Sequence, residues 1–559
     1  MADVADVAFV NGAVYTVDSG RSRARAAAVR DGHIVAVGED ADVRAVIGPR
    51  TEVIDLDGRM LLPGFQDAHV HPVSGGLDLA RCALYELWTA GDYLRAIGDY
   101  AAAHPERPWI LGGGWSMDAF PGGTPTAAEL DAVVADRPVF LPNRDGHGAW
   151  VNGAALRLAG VTRDTPDPSD GRIERAADGD PTGTLHEGAM RLVGDLIPAP
   201  TPDELFEGLL RGQEYLHSVG ITAWQDAIVD PTSIENGYDA YLRAAAEGVL
   251  TGRVVGALWW DRHRGLEQIG ELVERRERGR AGRFAATSVK IMQDGVCENF
   301  TAAVLEPYLD GAGAPTANRG ISFVDPELLR EAVTRLDERS FQVHFHTIGE
   351  RAVREALDAI ESARLANGPN DLRHHLAHIQ VIHPDDVPRF RELGAVANAQ
   401  PLWAAHEGQM DRLTIPFLGE PRWRWQYPFA SLVRSGAMLA MGSDWSVSSA
   451  NPLEEIHVAV NRRYPVNRES PEALEGAAVD VFLPDERLDL ATSIAAFTMG
   501  SAYVNHLDDA TGSIEPGKLA DLVVVDRDLF AAPADEIAAA SVELTMVEGE
   551  RVFAGPSFS

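Results

Sequence analysis

Residues 62–71 read Leu62-Pro63-Gly64-Phe65-Gln66-Asp67-Ala68-His69-Val70-His71. The run begins apolar and ends polar, the profile of a buried strand whose C-terminal end opens onto a ligand. On an extended segment successive side chains point to opposite faces, so His69 and His71 aim both imidazoles to one side, as two ligands of one cation require. A lone His-x-His serves packing as readily as chemistry. Its meaning depends on whether other strands end in the same way.

Working outward, apolar strand-like runs alternate with helical ones, the pattern of repeated βα units and a parallel sheet. Candidate strands fall at 62–67, 220–226, 253–258, 288–292, 341–346, 373–379, 395–400 and 438–443, with helices such as 326–338, 350–366 and 384–393 between them. Eight strands close a (β/α)8 barrel. The expected fold class is therefore α/β, a TIM barrel spanning 61–509. Residues from about 75 to 215 are far too long for one βα connection and read as an inserted, substrate-shaping region. Residues 4–60 alternate as short strands broken by Asn11-Gly12, Asp31-Gly32 and Asp57-Gly58, and the same texture returns at 522–526, 542–547 and 551–553. A small β-sandwich domain built from both termini, 1–60 and 510–559, is the expectation.

Barrel enzymes place their active sites at the C-terminal strand ends, and polar residues recur there. Strand four ends in Val289-Lys290-Ile291-Met292, strand five in His344-Phe345-His346, strand six in His374-His375-Leu376-Ala377-His378, and strand eight in Gly442-Ser443-Asp444. An inward-facing lysine costs several kcal/mol if charged and unpaired, so burial favours the neutral amine. Lys290 and Lys518 are the only lysines in a chain that otherwise uses Arg. Keeping Lys at a barrel strand end points to a chemical reason.

Composition narrows the class. The chain has 559 residues, 49 Lys plus Arg against 84 Asp plus Glu, and a formal net charge of −35, which disfavours nucleic acid and anionic membranes as partners. Cys82 and Cys297 alone make no disulfide framework and no thiolate metal cluster, which fits a reducing cytoplasm. Met1 to Asp18 is acidic and alternating rather than signal-like, and no 18-residue uncharged apolar stretch predicts a membrane span. A small-molecule substrate is the expected partner, with a homodimer compatible with the sequence.

The run 62–71 resembles the first-strand motif of the amidohydrolase superfamily. Lys290 through Asp294-Gly295, His346-Thr347-Ile348-Gly349-Glu350-Arg351-Ala352, His378-Ile379-Gln380, Gly442-Ser443-Asp444-Trp445 and the re-entry Gly512-Ser513-Ile514-Glu515-Pro516-Gly517-Lys518-Leu519-Ala520-Asp521-Leu522 resemble the branch containing the N-substituted formamide deformylases. So does Asn143-Arg144-Asp145-Gly146-His147 in the insert. The sequence departs from the branch at Glu350, usually Asp, and in 296–300.

The resemblance implies His69 and His71 on one metal, His346 and His378 on a second, Lys290 as a bridging carboxylated lysine, and Asp444 as ligand and general base. Zinc, as one or more often two divalent ions, is the implied cofactor. The implied reaction is hydrolysis of an amide-type C–N bond, with one metal or His147 polarising the carbonyl. His344, His374 and His375 have no counterpart and are assigned to packing or support. A superfamily deaminase attacking a heterocyclic C=N is the first rival; it typically pairs a His-x-x-Glu after strand five, whereas Glu350 stands one residue further on. A metal-free barrel scaffold is the second. Trp115, Trp150, Phe300, Trp403 and Trp445 lie in loops able to line a pocket, and Trp115, Asp294 and Trp403 are the expected substrate contacts.

Overall fold

The computed structural model describes residues 4–230, 237–465 and 480–558. The first three residues and the last residue of the expected small domain, and segments 231–236 and 466–479 of the expected barrel, lie outside these. Eight strands run β1 Phe65–Val70, β2 Ile221–Val229, β3 Arg253–Trp259, β4 Phe284–Met292, β5 Gln342–Thr347, β6 His375–His378, β7 Val396–Ala399 and β8 Met438–Met441. Each pairs in parallel with the next. The sheet curls until its edges meet: Asn398 Nδ2 donates to Ala68 O at 2.9 Å, and Asp444 N donates to His69 O at 2.7 Å. This is the expected TIM barrel.

The first strand differs from its reading. Residues 60–63 and 65–70 are two strands, not one. Met60–Pro63 pairs antiparallel with Leu522–Val525 outside the barrel, and β1 starts at Phe65. Gly64 is the crossing point, where a Cβ would collide with the Thr222 side chain, so both sheets approach more closely than any other residue permits.

Helix Pro326–Glu338 forms where its apolar spacing predicts, starting at an Asp325 cap that accepts from Glu327 N and Leu328 N. Glu350–Asn367 follows β5, while 384–393 divides into a 3-10 turn, Pro384–Asp386, and the helix Val387–Leu393. Between β1 and β2 the chain builds a six-stranded sheet ordered Gly171–Arg175, Pro181–Glu187, Gly148–Val151, Val139–Pro142, Ile110–Gly113, Cys82–Ala83. Two further sheets stack over a core of Phe9, Val29, Ile34, Leu61, Leu522, Val524 and Met546. One has four strands from the N-terminal region. The other joins Ala13–Tyr15, Arg23–Ala24 and Met60–Pro63 to three C-terminal strands. Among the described residues no helix is long and apolar enough to cross a membrane.

Candidate metal centre

Strand register builds the site. Lys290 pairs with His344 and His344 with His375, so three polar side chains stand in one row across β4, β5 and β6. His69 reaches this row from β1: His344 Nε2 lies 2.9 Å from His69 Nδ1, and Lys290 Nζ is 3.4 Å from His69 Nε2. His71, one residue beyond β1, still follows the strand's alternation. Both imidazoles converge on Asp444 Oδ1, His69 Nε2 at 3.2 Å and His71 Nε2 at 3.1 Å. Beneath them the buried Asp67 carboxylate accepts from His69 N at 2.9 Å, Ser443 N at 3.0 Å and Ser443 Oγ at 2.5 Å. It ties the end of β1 to the end of β8.

His346 and His378 form the other side of the site, their ring centroids 4.4 Å apart, with His378 Nδ1 3.9 Å from the second oxygen of Asp444. His69, His71 and Asp444 are the group whose ligand atoms all lie close enough to hold one ion, among the described residues. His346, His378 and Lys290 line the same cavity. The donor set suits a divalent cation, because His378 Nδ1 is buried without a hydrogen-bond partner and Asp444 Oδ1 meets only the two imidazole nitrogens, with no well-formed hydrogen bond. Buried polar atoms without partners are costly, and a cation held beside Asp444 would answer that cost.

The electrostatics agree. Burial lowers the His69 imidazole to about 3 and holds His346 and His378 well below their ordinary value, so their lone pairs are free to ligate. Burial also brings the Lys290 amine down to about 7, only partly offset by Asp444. The Asp444 carboxyl would rise on burial, but the imidazoles of His69, His71 and His378 overcome this and hold it well below the usual range.

From the insert, His147 reaches over this side, its ring 5.3 Å from that of His346. Its Nδ1 sits 2.9 Å from Glu187 Oε1. Burial alone would lower its pKa, but the Glu187 carboxylate raises it to about 9. Trp403 lines the cavity and stacks on His378 at 5.3 Å and 16°. Trp445 lines it too.

Two expected substrate contacts need correction. Trp115 is a core residue, 1 % exposed, donating to Leu141 O and packed edge-on against Phe120 and Trp150. Asp294 is fully buried behind the β5 loop, its carboxylate accepting from Ile348 N, Gly349 N and Ala303 N at 2.8–2.9 Å and lying 3.4 Å from His346 Nδ1, so it backs a candidate ligand rather than touching substrate. Neither belongs to the cavity wall. Trp150 and Phe300 pack elsewhere as well, against Phe120 and against Tyr308 and Phe417. Glu350 is equally remote, accepting from Leu305 N, so it gives the site no His-x-x-Glu partner. Glu187 was missed: a lone glutamate at the end of an insert strand carries no signal in sequence.

The cavity holds about 880 Å³ and is walled by barrel loops and by insert residues including Tyr85, Trp88, Arg144 and Arg191. Comparison with known proteins points the same way as the geometry. "Protein LONG AFTER FAR-RED 3" of Arabidopsis thaliana is 32% identical over 98% of this chain and 92% of its own length. The "N-substituted formamide deformylase" of Arthrobacter pascens is 28% identical over 98% of both chains. A solved metal-dependent hydrolase from Pyrococcus furiosus superposes with a TM-score of 0.69 at 25% identity, covering 93% of this chain and 99% of that one. The amidohydrolase family signature matches residues 52–553, and the chain belongs to that family.

Proposed function

We propose that the chain hydrolyses an amide-type C–N bond of a small molecule, with N-substituted formamides and N-acyl amines as the candidate substrate classes. The observation that carries this is the convergence of His69, His71 and Asp444 on one point, beside His346, His378 and Lys290. These six residues would hold one or two divalent ions, zinc foremost. When bound, such an ion acidifies water, from a pKa of about 15.7 towards about 7, and polarises a carbonyl.

The chain's own groups then divide the proton work. Asp444, kept ionised by its imidazole neighbours, accepts the proton of the attacking water and can return it to the departing nitrogen. His147, held over the cavity by Glu187, donates towards the carbonyl oxygen as charge builds there. Trp403 and Trp445 give the acyl or amine substituent an apolar wall and exclude water. Lys290, neutral when buried, is poised to carry a carbamate that adds an anionic bridge. Similarity to a formamide deformylase over nearly the whole chain supports the choice of bond. The two stacked terminal sheets act in this reading as a separate small domain, 1–60 and 510–559, bracing the barrel of 61–509 and its insert.

The test is release of 4-nitroaniline from N-(4-nitrophenyl)formamide, alongside a panel of alkyl formamides and N-acyl amines. Turnover is expected to stop on chelation and return with zinc. Full activity in rigorously metal-free enzyme would overturn the mechanism.

A further inference from the structure

Glu187 lies outside every motif read from the sequence. It ends the insert strand Pro181–Glu187, whose partner strand Gly148–Val151 follows His147 directly, and its N–H donates to His147 O at 3.1 Å. Its side chain is 3 % exposed, yet it lies against the same cavity as the metal-ligating imidazoles. Three groups converge on one carboxylate oxygen: His147 Nδ1 at 2.9 Å, Thr301 Oγ1 at 2.7 Å and Asn299 Nδ2 at 3.2 Å. Asn299 Nδ2 also donates to His147 O at 3.3 Å, so the loop after β4 grips both partners. Room for the carboxylate depends on Gly295, where a Cβ would collide with both Glu187 and Thr301.

The backbone is strained at the same point. Glu187 adopts φ 51°, ψ −127°, outside the regions comfortable for a side-chain-bearing residue. His378 and Asp444, two of the candidate ligands, also have positive φ, 74° and 54°. Such strain persists where the surroundings over-determine the conformation, and it clusters at working sites. A carboxylate needed only to pin the insert to the barrel would have no reason to face an imidazole that overhangs the ligands.

We infer that Glu187 is the positioning residue for His147: it accepts the Nδ1 hydrogen, fixes the ring plane over His346, and leaves Nε2 as the nitrogen turned to the substrate. This rests on the hydrolase reading above for what His147 then does. A carboxylate oriented by two further donors holds an imidazole better than one free to rotate, the arrangement by which carboxylates fix histidine rings in metal and triad sites.

Histidine-15N-labelled enzyme provides the test, read first without metal. The Nδ1–H resonance of His147, identified by its loss in His147→Ala, is expected to disappear in Glu187→Ala and to survive, shifted, in Glu187→Gln, which keeps an acceptor oxygen. Zinc stoichiometry after reloading is expected to match wild type in both variants. On the nitroanilide probe, Glu187→Ala is expected to lower kcat about 10–100-fold, with Glu187→Gln between it and wild type. Adding Glu187→Ala to His147→Ala should cost nothing more, since residues acting as one unit are non-additive. A persistent resonance in Glu187→Ala, a lost zinc, or losses that multiply in the double variant would each overturn the inference. If no variant nor wild type hydrolyses any amide, the hydrolase reading fails, while the resonance and zinc measurements still decide the role of Glu187.

Discussion

The Asp444 carboxylate turns one oxygen to His69 and His71 and the other towards His378, so a single side chain joins both halves of the site. Replacing it by Asn preserves shape and removes the proton acceptor. Asp444→Asn is expected to keep the fold and most of the metal while losing turnover by about 10²–10⁴-fold, the range for a missing general base; near wild-type kcat would place the base elsewhere. Lys290 offers a sharper experiment. Its Nζ lies among His69 and His344, at 3.4 and 3.5 Å, in surroundings that disfavour a cation. Lys290→Ala is expected to lose activity and at least one metal equivalent, with partial rescue by a short carboxylic acid, and intact mass of the native protein should show added carbon dioxide. Arg is always charged and cannot form a carbamate, so an active Lys290→Arg enzyme with full metal would refute the modification. His147→Ala is expected to slow turnover about 10²–10³-fold, the cost of a lost oxyanion donor, without changing metal content.

At the scale of elements, the site depends on helices that carry no ligand. Pro72–Asp78 begins immediately after His71 and lies against Pro202–Ser218 through glycines: a Cβ at Gly76 would strike Gly208 O, and one at Gly212 would strike Pro72 O. Gly76→Ala is expected to push the helices apart at a cost of about 1–3 kcal/mol and to weaken metal binding through His71, read by denaturant midpoint and zinc titration together. Elsewhere Asp337, at the end of Pro326–Glu338, accepts from His374 Nε2, Asn367 and Asn370 at 2.8–3.0 Å. Burial would raise its carboxyl, but these donors bring it from 3.8 to about 2. Its stabilisation is therefore fully present above about pH 4 and is lost as pH falls towards 2. Asp337→Asn should cost about 1–2 kcal/mol at neutral pH and flatten that acid limb of the stability curve. An unchanged acid limb would assign it to other carboxylates.

For the whole molecule, a metal held by the proposed ligands of β1, β4, β5, β6 and the β8 end would tie distant parts of the barrel to one another. Chelation is expected to lower Tm, and saturating zinc to restore it, by about 2.7 kcal/mol of stability at a hundredfold excess over Kd; an unchanged Tm would mean that the donors meet without the ion. The barrel itself was legible in the sequence because eight apolar runs alternate with helical ones, five of them ending in polar residues able to ligate, and a parallel sheet buried on both faces writes itself as such runs. The metal-ligand candidates were legible for the same reason: strand ends are fixed by local pattern, and their C-terminal edge is where a barrel opens. Distance and direction were not. Gly64 splits what reads as one strand, because the split depends on Thr222 from another strand. Trp115 and Asp294 look like wall residues until tertiary packing turns one into the core of the insert and the other under the β5 loop. His147 was visible by its motif, whereas Glu187 needed the pairing of two insert strands and a loop over 100 residues away to become its partner. Sequence alone determined which residue types stand at which strand ends, since periodicity and burial act over a few residues. Only the tertiary structure decided which of them face one another, since that depends on register, barrel closure and the path of the insert, none of which is written locally.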